Sequence, residues 1–538
     1  MGTGGQGTIE WNGEGEMPQR GVLEVAMKVL WLCNVVLPVA ARQLGMEVSN
    51  KEGWVSGMAQ ELLERRQEND IALILAFPVP KAMVPEGEEI FCREIQVEMP
   101  PGEERESGQE GAGQAEADSG QKNAAERKAS SGKVSLACCG FPEDVRCPEK
   151  YDGSLEPALK KIVDIVRPDI VHCFGTEYPH TLAMCRVFPR KDRILVGLQG
   201  LCVLCAQAYY ADLPERVIRS VTLRDFLRKD NLRQQRQKFV LRGEMEREAI
   251  GMAGNVTGRT EWDKSYALEW NPKARYHAMN ETLRREFYGP VWDRDRCIPH
   301  SIFLSQGDYP LKGLHYMLLA LPKILARYPD AKVSVAGNSL VEYRTLKQKL
   351  KISAYGRYLR SLVRGLGLEG HVAFLGKLTA GQMRDRYLAS SLYVCCSALE
   401  NSPNSLGEAM LLGMPCVSAD VGGIPSMFTD GVDGILYRGF SERGAGRHPA
   451  DGGLEREAWK AAESGGFGGR DGGGMASGPA DEGELEAVSG RLADAVLKMW
   501  DNPQKWDEYC ANARRHALET HDRKRNYEKL VEIYGKIL

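Results

Sequence analysis

A chain of 538 residues is too long for one hydrophobic core, so two domains with insertions are expected. A formal net charge of -3 and a pI near 6.4 exclude the strongly basic surface that general nucleic-acid binding needs. The fourteen cysteines are scattered, several in apolar runs (Cys33, Cys138, Cys139, Cys173, Cys395, Cys396), the usage of reduced, buried cytosolic thiols, and the one C-x-x-C, Cys202 with Cys205, has neither a second pair nor a nearby His to make a metal site.

Residues 1–26 begin Gly- and Glu-rich with no apolar run and are expected to be a disordered leader, with Met27 an alternative start. The apolar stretch 22–41 is long enough to span a membrane, but Glu24, Lys28, Asn34 and Pro38 interrupt it, and Lys28 to Cys33 suits a first buried strand better. No small-residue cleavage site follows a basic leader, so no signal peptide is expected. Strand patterns follow at 29–35, 71–77, 134–139, 169–174, 194–199 and 255–258, alternating with helical patterns such as 54–66 and 155–166. Such alternation predicts a parallel, Rossmann-like α/β sheet over 27–295. Gly53 and Gly57 stand at the first strand-to-helix turn, where a backbone can approach a ligand closely. Residues 102–133 contain no Leu, Ile, Val, Phe, Tyr or Trp and read as a disordered insertion.

The segment 214–247 carries ten Lys or Arg against five acids, with Val217, Ile218, Val221, Leu223, Phe226 and Leu227 between them. Its readings are a membrane-surface helix, a site for a phosphorylated acceptor, or a solvated helix pair. Gly258 to Thr260, Trp262-Asp263 and Asn280 to Arg284 place polar groups at strand ends that close the first domain, some of them at a cleft.

A second alternating series spans 296–440: strands at 301–304, 333–337 and 372–376, and an amphipathic helix at 311–328 with Lys312-Gly313 at its start. The stretch 392–425 then reads as a buried strand, a polar loop from Glu400 to Asn404, a helix, and a further strand at 416–419. Ser405 and Glu408 have capping-box spacing, and Gly413 with Pro415 ends the helix. The loop and helix N-terminus therefore face the carboxyl end of a parallel sheet, where an anionic ligand is favoured. Thirteen glycines in residues 441–483 mark a flexible insertion, and helices resume over 484–538.

Glu400 and Glu408 with seven residues between them, followed by Gly413 and Gly422-Gly423, resemble the signature of retaining glycosyltransferases of family 4. The resemblance implies the GT-B architecture, two facing Rossmann-like domains with a donor/acceptor cleft between them, and a last helix that crosses back to the first domain. It implies that Glu400 lies against the donor sugar, that Glu408 binds ribose hydroxyls, and that loop amides near Ser402, Asn404, Ser405 and Leu406 hold the diphosphate together with Lys312 and Gly313. The Arg usual earlier in that loop is replaced by Ser305-Gln306-Gly307-Asp308, so Lys312 carries more of the charge or Arg259 reaches across; Gly53 completes the expected donor site. The stretch 167–180 resembles the family segment that delivers a His to the donor sugar. Phe174 stands where a second His is common, which leaves His172 and His180 as competing candidates beside a purely structural role for either.

The reaction so implied is retaining transfer of a hexose-type sugar from a nucleotide diphosphate-sugar to an acceptor hydroxyl, in bacterial glycan or exopolysaccharide assembly. No second carboxylate is placed as a nucleophile and no D-x-D pair as a metal bridge, so same-face, metal-independent transfer without a cofactor is expected. Expected partners are the nucleotide-sugar and a saccharide or lipid-linked acceptor, with no nucleic acid. The expected location is cytoplasmic, with peripheral contact at the inner membrane face through 214–247. The alternatives are a sugar-nucleotide epimerase, a phosphorylase, or a catalytically silent nucleotide-sugar-binding protein.

Overall fold

The computed structural model describes residues 9–10, 27–47, 53–66, 68–98, 133–339, 345, 350–440 and 482–538. Most of the leader, all but Lys133 of the 102–133 stretch and nearly all of 441–483 lie outside the described residues.

The first sheet runs, edge to edge, Ile9–Glu10, Phe91–Glu98, Lys133–Pro142, Ile71–Val79, Met27–Leu32, Ile170–Phe174, Ile194–Gly197, Asn255–Gly258 and Arg275–Ala278. From Lys133–Pro142 onward neighbours are parallel. Val29, Leu30, Trp31 and Leu32 of the central strand are fully buried, which is why that run reads as continuously apolar. The Leu155–Val166 helix covers the sheet with Leu155, Ala158, Leu159, Ile162, Val163 and Val166, a stripe at three- and four-residue spacing. Each large member contributes roughly 1.5–3 kcal/mol by leaving water.

Two strands at one edge are antiparallel and had no clear sequence signal. Phe91–Glu98 is half-exposed and carries Arg93, Glu94 and Glu98, so its apolar alternation is diluted. Ile9–Glu10, inside the stretch expected to be a disordered leader, pairs with it. Cys139, expected as a reduced thiol, is joined in a disulfide to Cys92, its direct partner on that edge strand.

The second sheet, all parallel, runs Val372–Gly376, Lys332–Ala336, Ile298–Leu304, Ser390–Cys395, Cys416–Asp420 and Ile435–Arg438. The helix expected over 311–328 begins only at Leu314, because Gly313 at φ 67° separates it from a 3-10 turn at Pro310–Lys312.

Three helices end the chain. Glu482–Asp501 packs on Leu314–Arg327, and Trp506–Thr520 packs on Asn404–Leu412. Arg523–Ile537 returns to the first sheet and buries Tyr527, Leu530, Ile533, Tyr534 and Ile537 there. The Tyr534 hydroxyl accepts from Trp31 Nε1 at 2.8 Å and meets His172 Nδ1 at 2.8 Å. The chain thus passes between the sheets twice, and the two passages are tied. The Tyr288 hydroxyl accepts from the Leu283 amide at 3.0 Å and donates to the His521 carbonyl at 2.7 Å, while His521 Nδ1 contacts the Glu281 carbonyl at 2.7 Å.

Candidate active site

Ile298–Leu304 and Ser390–Cys395 are neighbours in the second sheet, so the loops after them leave the same edge side by side. One brings Lys312 and the other Glu400. Lys312 Nζ donates to Glu400 Oε1 at 2.6 Å, and Ser397 Oγ donates to the same oxygen at 2.7 Å. Gly313 is required at this junction: it has a positive φ, and a Cβ there would overlap the Cys396 carbonyl. Burial pulls the Lys312 ammonium down, but the charges of Glu400 and Tyr309 outweigh it and the net shift is upward, so the side chain stays cationic.

Glu408 arrives on the Asn404–Leu412 helix. The expected capping box does not form. Pro403 is the N-cap, no side chain caps the first turn, and Ser405 Oγ instead accepts from the Tyr393 hydroxyl at 2.8 Å. Uncapped first-turn amides leave the helix N-terminus available to an anion. Glu408 turns to Arg284, whose Nε and Nη2 reach its Oε1 at 2.7 and 2.6 Å. Burial pushes the Glu408 carboxyl up to about 7, against the opposing pull of Arg284. Behind the Glu400 loop, Gly422 at φ 54° lets the chain fold back onto the Glu400 carbonyl, which a Cβ would strike.

These groups converge on one cavity of about 420 Å³. Of the expected residues, Lys312, Glu400, Asn404, Ser405, Glu408 and Gly53 line it. Gly53 does so for a different reason than expected: its missing Cβ leaves room for the Arg284 stem, whose Cγ and Cδ would lie 2.8 Å from it. Gly313, Ser402 and Leu406 are not part of the lining, and Leu406 points wholly into the core.

The first-domain expectations fare differently. His172 is fully buried beneath the returning helix, stacked on Phe174 at 4.0 Å with Nδ1 on Tyr534, and burial pushes its ring down to about 3. It is a neutral core residue. His180, expected to face the cleft, is also fully buried, with Nδ1 2.6 Å from Glu143 Oε2 and Nε2 3.0 Å from Asn34 Oδ1. Both ring nitrogens are already engaged, and neither His lines the cavity. Arg259 does not reach across: it forms an ion pair with Glu281 and donates from Nη2 to the Gln199 carbonyl at 3.0 Å, all within the first domain. The bridge to the Glu400 loop is made instead by Asn401, which accepts from Thr260 Oγ1 at 2.7 Å and donates to Asp263 Oδ2 at 2.9 Å.

Sequence reasoning did not single out Arg284, Lys377 or Trp54 as lining residues. Arg284 stood among the polar groups expected near the cleft, Trp54 beside Gly53, and Lys377 directly after a predicted strand. Position at a strand or helix end was their shared signal.

Residues 300–443 match the family model described as Glycosyl transferases group 1. Among curated relatives, an uncharacterized glycosyltransferase of Methanocaldococcus jannaschii is 28% identical over 33% of this chain and 38% of its own length. D-inositol 3-phosphate glycosyltransferase of Geodermatophilus obscurus is 29% identical over 30% of this chain and 37% of its own. The chain therefore matches little more than a third of the length of these relatives. Solved structures align far more broadly at low identity. Sucrose-phosphate synthase from Thermosynechococcus elongatus covers 95% of this chain and 99% of its own with a TM-score of 0.53 at 13% identity. Anabaena HepE in complex with UDP covers 95% and 100% with a TM-score of 0.52 at 13% identity. Residues 300–443 thus match the glycosyl transferases group 1 model, and the two parallel-sheet domains enclosing the cavity share the GT-B fold of these solved structures.

Proposed function

We propose that this protein is a retaining, metal-independent glycosyltransferase of family 4 type, moving a hexose from a nucleoside diphosphate-sugar to an acceptor hydroxyl. The observation that carries the reading is the convergence of Lys312, Glu400, Glu408 and an uncapped helix N-terminus on one cavity at the carboxyl edge of the second sheet. A departing diphosphate gathers negative charge, and a fixed ammonium beside free amides stabilises it without a metal. Glu400, next to that ammonium, is placed to orient sugar hydroxyls and to face a developing oxocarbenium ion. The histidines are given no part in the reaction. A saccharide or lipid-linked acceptor in bacterial glycan assembly suits the names of the relatives, among them phosphatidyl-myo-inositol mannosyltransferase of Mycolicibacterium smegmatis.

The test is binding of UDP, GDP and ADP followed by transfer from the matching nucleotide-sugars, with EDTA throughout. A nucleoside diphosphate that stabilises the protein, and a product that keeps the donor's anomeric configuration, uphold the reading. Donor consumption without acceptor would mark an epimerase. A dependence on inorganic phosphate would mark a phosphorylase, and binding without any turnover a silent binder.

Membrane contact is proposed at a narrower place than the whole of 214–247. No helix among the described residues is long and apolar enough to cross a membrane. Most cations of the segment already have partners: Arg219 and Arg233 on Glu215, Arg224 on Asp225 and Asp230, Lys238 on Asp230, Arg236 on the Ala206 carbonyl and Arg242 on the Glu177 carbonyl. What protrudes is a tip, with Phe226 72% and Leu227 70% exposed beside Val221 and Leu223 and next to Arg228 and Lys229. Apolar side chains collared by cations fit the inner membrane face of a cytoplasmic, peripherally bound enzyme.

A further inference from the structure

Arg284 enters the cavity from the segment that joins the two sheets, not from the donor domain that supplies Lys312, Glu400 and Glu408. Its stem passes over Gly53, where any side chain would displace it. Its guanidinium stacks 4.9 Å from the Phe287 ring and sends Nε and Nη2 to one atom, Glu408 Oε1. Among the described residues no hydrogen bond reaches Glu408 Oε2. The carboxylate is thus gripped on one oxygen while the other has no hydrogen-bond partner among the described residues.

We propose that Arg284 is the positioning residue of the nucleotide end of the site, holding Glu408 ionised and oriented so that Oε2 accepts the ribose hydroxyls of a nucleoside diphosphate. This rests on the reading of the cavity as a nucleotide-sugar site. The need for such a grip follows from the surroundings of Glu408. Burial favours its neutral form, and the nearby Glu286 charge pushes the same way. The other titratable neighbours give no relief. Tyr387 donates its hydroxyl to the Ser405 carbonyl, Lys312 is committed to Glu400, and His521, packed on Gly407 of the same helix, is pushed down to about 3 and stays neutral. Arg284 is the one cation opposing protonation, and a protonated carboxyl would lose an acceptor site for the ribose.

The experiment measures affinity for UDP, GDP and ADP from pH 6 to 9 by calorimetry in wild type, Arg284→Met, Arg284→Lys, Glu408→Gln and the Arg284→Met/Glu408→Gln double variant. In wild type, affinity for the bound nucleotide rises with pH across neutrality. Arg284→Met weakens it about tenfold at pH 7.5 and displaces the rise by at least a pH unit upward. Arg284→Lys, which keeps the charge and guards against a failure to fold, retains the wild-type pH profile. Glu408→Gln flattens the profile, and the double variant binds no worse than Glu408→Gln alone, because Arg284 acts through Glu408. An additional loss in the double variant would mean that Arg284 touches the nucleotide itself and overturns the positioning role. An unchanged profile in Arg284→Met overturns the inference while leaving the nucleotide site intact. Wild-type protein that binds no nucleoside diphosphate overturns the reading of the cavity, and the inference with it.

Discussion

The cavity holds two ion pairs of similar geometry and different construction. Lys312 and Glu400 both sit on loops leaving the second sheet, their side chains 20% and 14% exposed, and Ser397 supports the same carboxylate oxygen. Arg284 and Glu408, 22% and 5% exposed, instead link the segment between the sheets to a helix of the second domain. The first pair is set by the packing of one domain and persists however the domains lie. The second depends on how the linking segment lies against that helix. One pair is therefore internal to the second domain, and the other spans the join between the two domains.

Removing Lys312 should produce the largest effect. Lys312→Ala removes the cation proposed to face the diphosphate and leaves Glu400 with Ser397; transfer should fall by about 10²–10³-fold, as for loss of a preorganised oxyanion donor, measured as steady-state sugar transfer. If the loss is tenfold or less, Lys312 is not the charge that matters.

Glu408→Gln should act on affinity and stability in opposite directions. A carboxyl raised to about 7 in the fold binds protons that the unfolded chain has released, so its contribution to stability falls as pH rises from the ordinary carboxylate range toward 7. Replacing it should remove that fall, worth roughly 3 kcal/mol at most, while weakening nucleotide binding. Melting curves at pH 5 and pH 8 in both proteins check the sign: the variant should gain on wild type at the higher pH.

Tyr534→Phe tests a site outside the cavity. It strands Trp31 Nε1 and the His172 ring in the core, and should cost about 1–3 kcal/mol in denaturant unfolding with nucleotide affinity unchanged. A change in affinity would tie the returning helix to the Arg284 pair. Phe226→Ser with Leu227→Ser should be smallest in stability, within about 0.5 kcal/mol as for other exposed sites, yet should reduce sedimentation with phosphatidylglycerol vesicles. Equal sedimentation would remove the membrane contact.

The second-domain side of the cavity was legible because its parts are local. Glu400 and Glu408 lie on one strand–loop–helix unit, and Lys312 follows a strand whose neighbour is the strand before Glu400, so parallel topology alone brings them to one edge. For His172 the choice between a cleft role and a structural one stayed open, because strand alternation says that a side chain faces one side or the other, not which side; the deciding element, the Tyr534 helix, lies 362 residues away. His180 stood in the 167–180 candidate segment, while its partners Asn34 and Glu143 come from other strand ends. Arg284 went unsingled because a lone Arg in a linking segment has no pattern. Its role depends on the absence of a side chain at Gly53 and on a carboxylate 124 residues later.

The tie between the two passages of chain has a mechanical meaning. Two separate connections can act as independent tethers and let bodies slide past one another. Here Tyr288 and His521 bind the passages to each other at the Glu281–Leu283 segment directly next to Arg284, and Tyr316 with Asp212 and the Ala354 amide with Asp225 join the same two domains elsewhere. The two domains are thus fastened to each other at more than one place, and sliding at the Arg284 end would have to break several buried contacts at once.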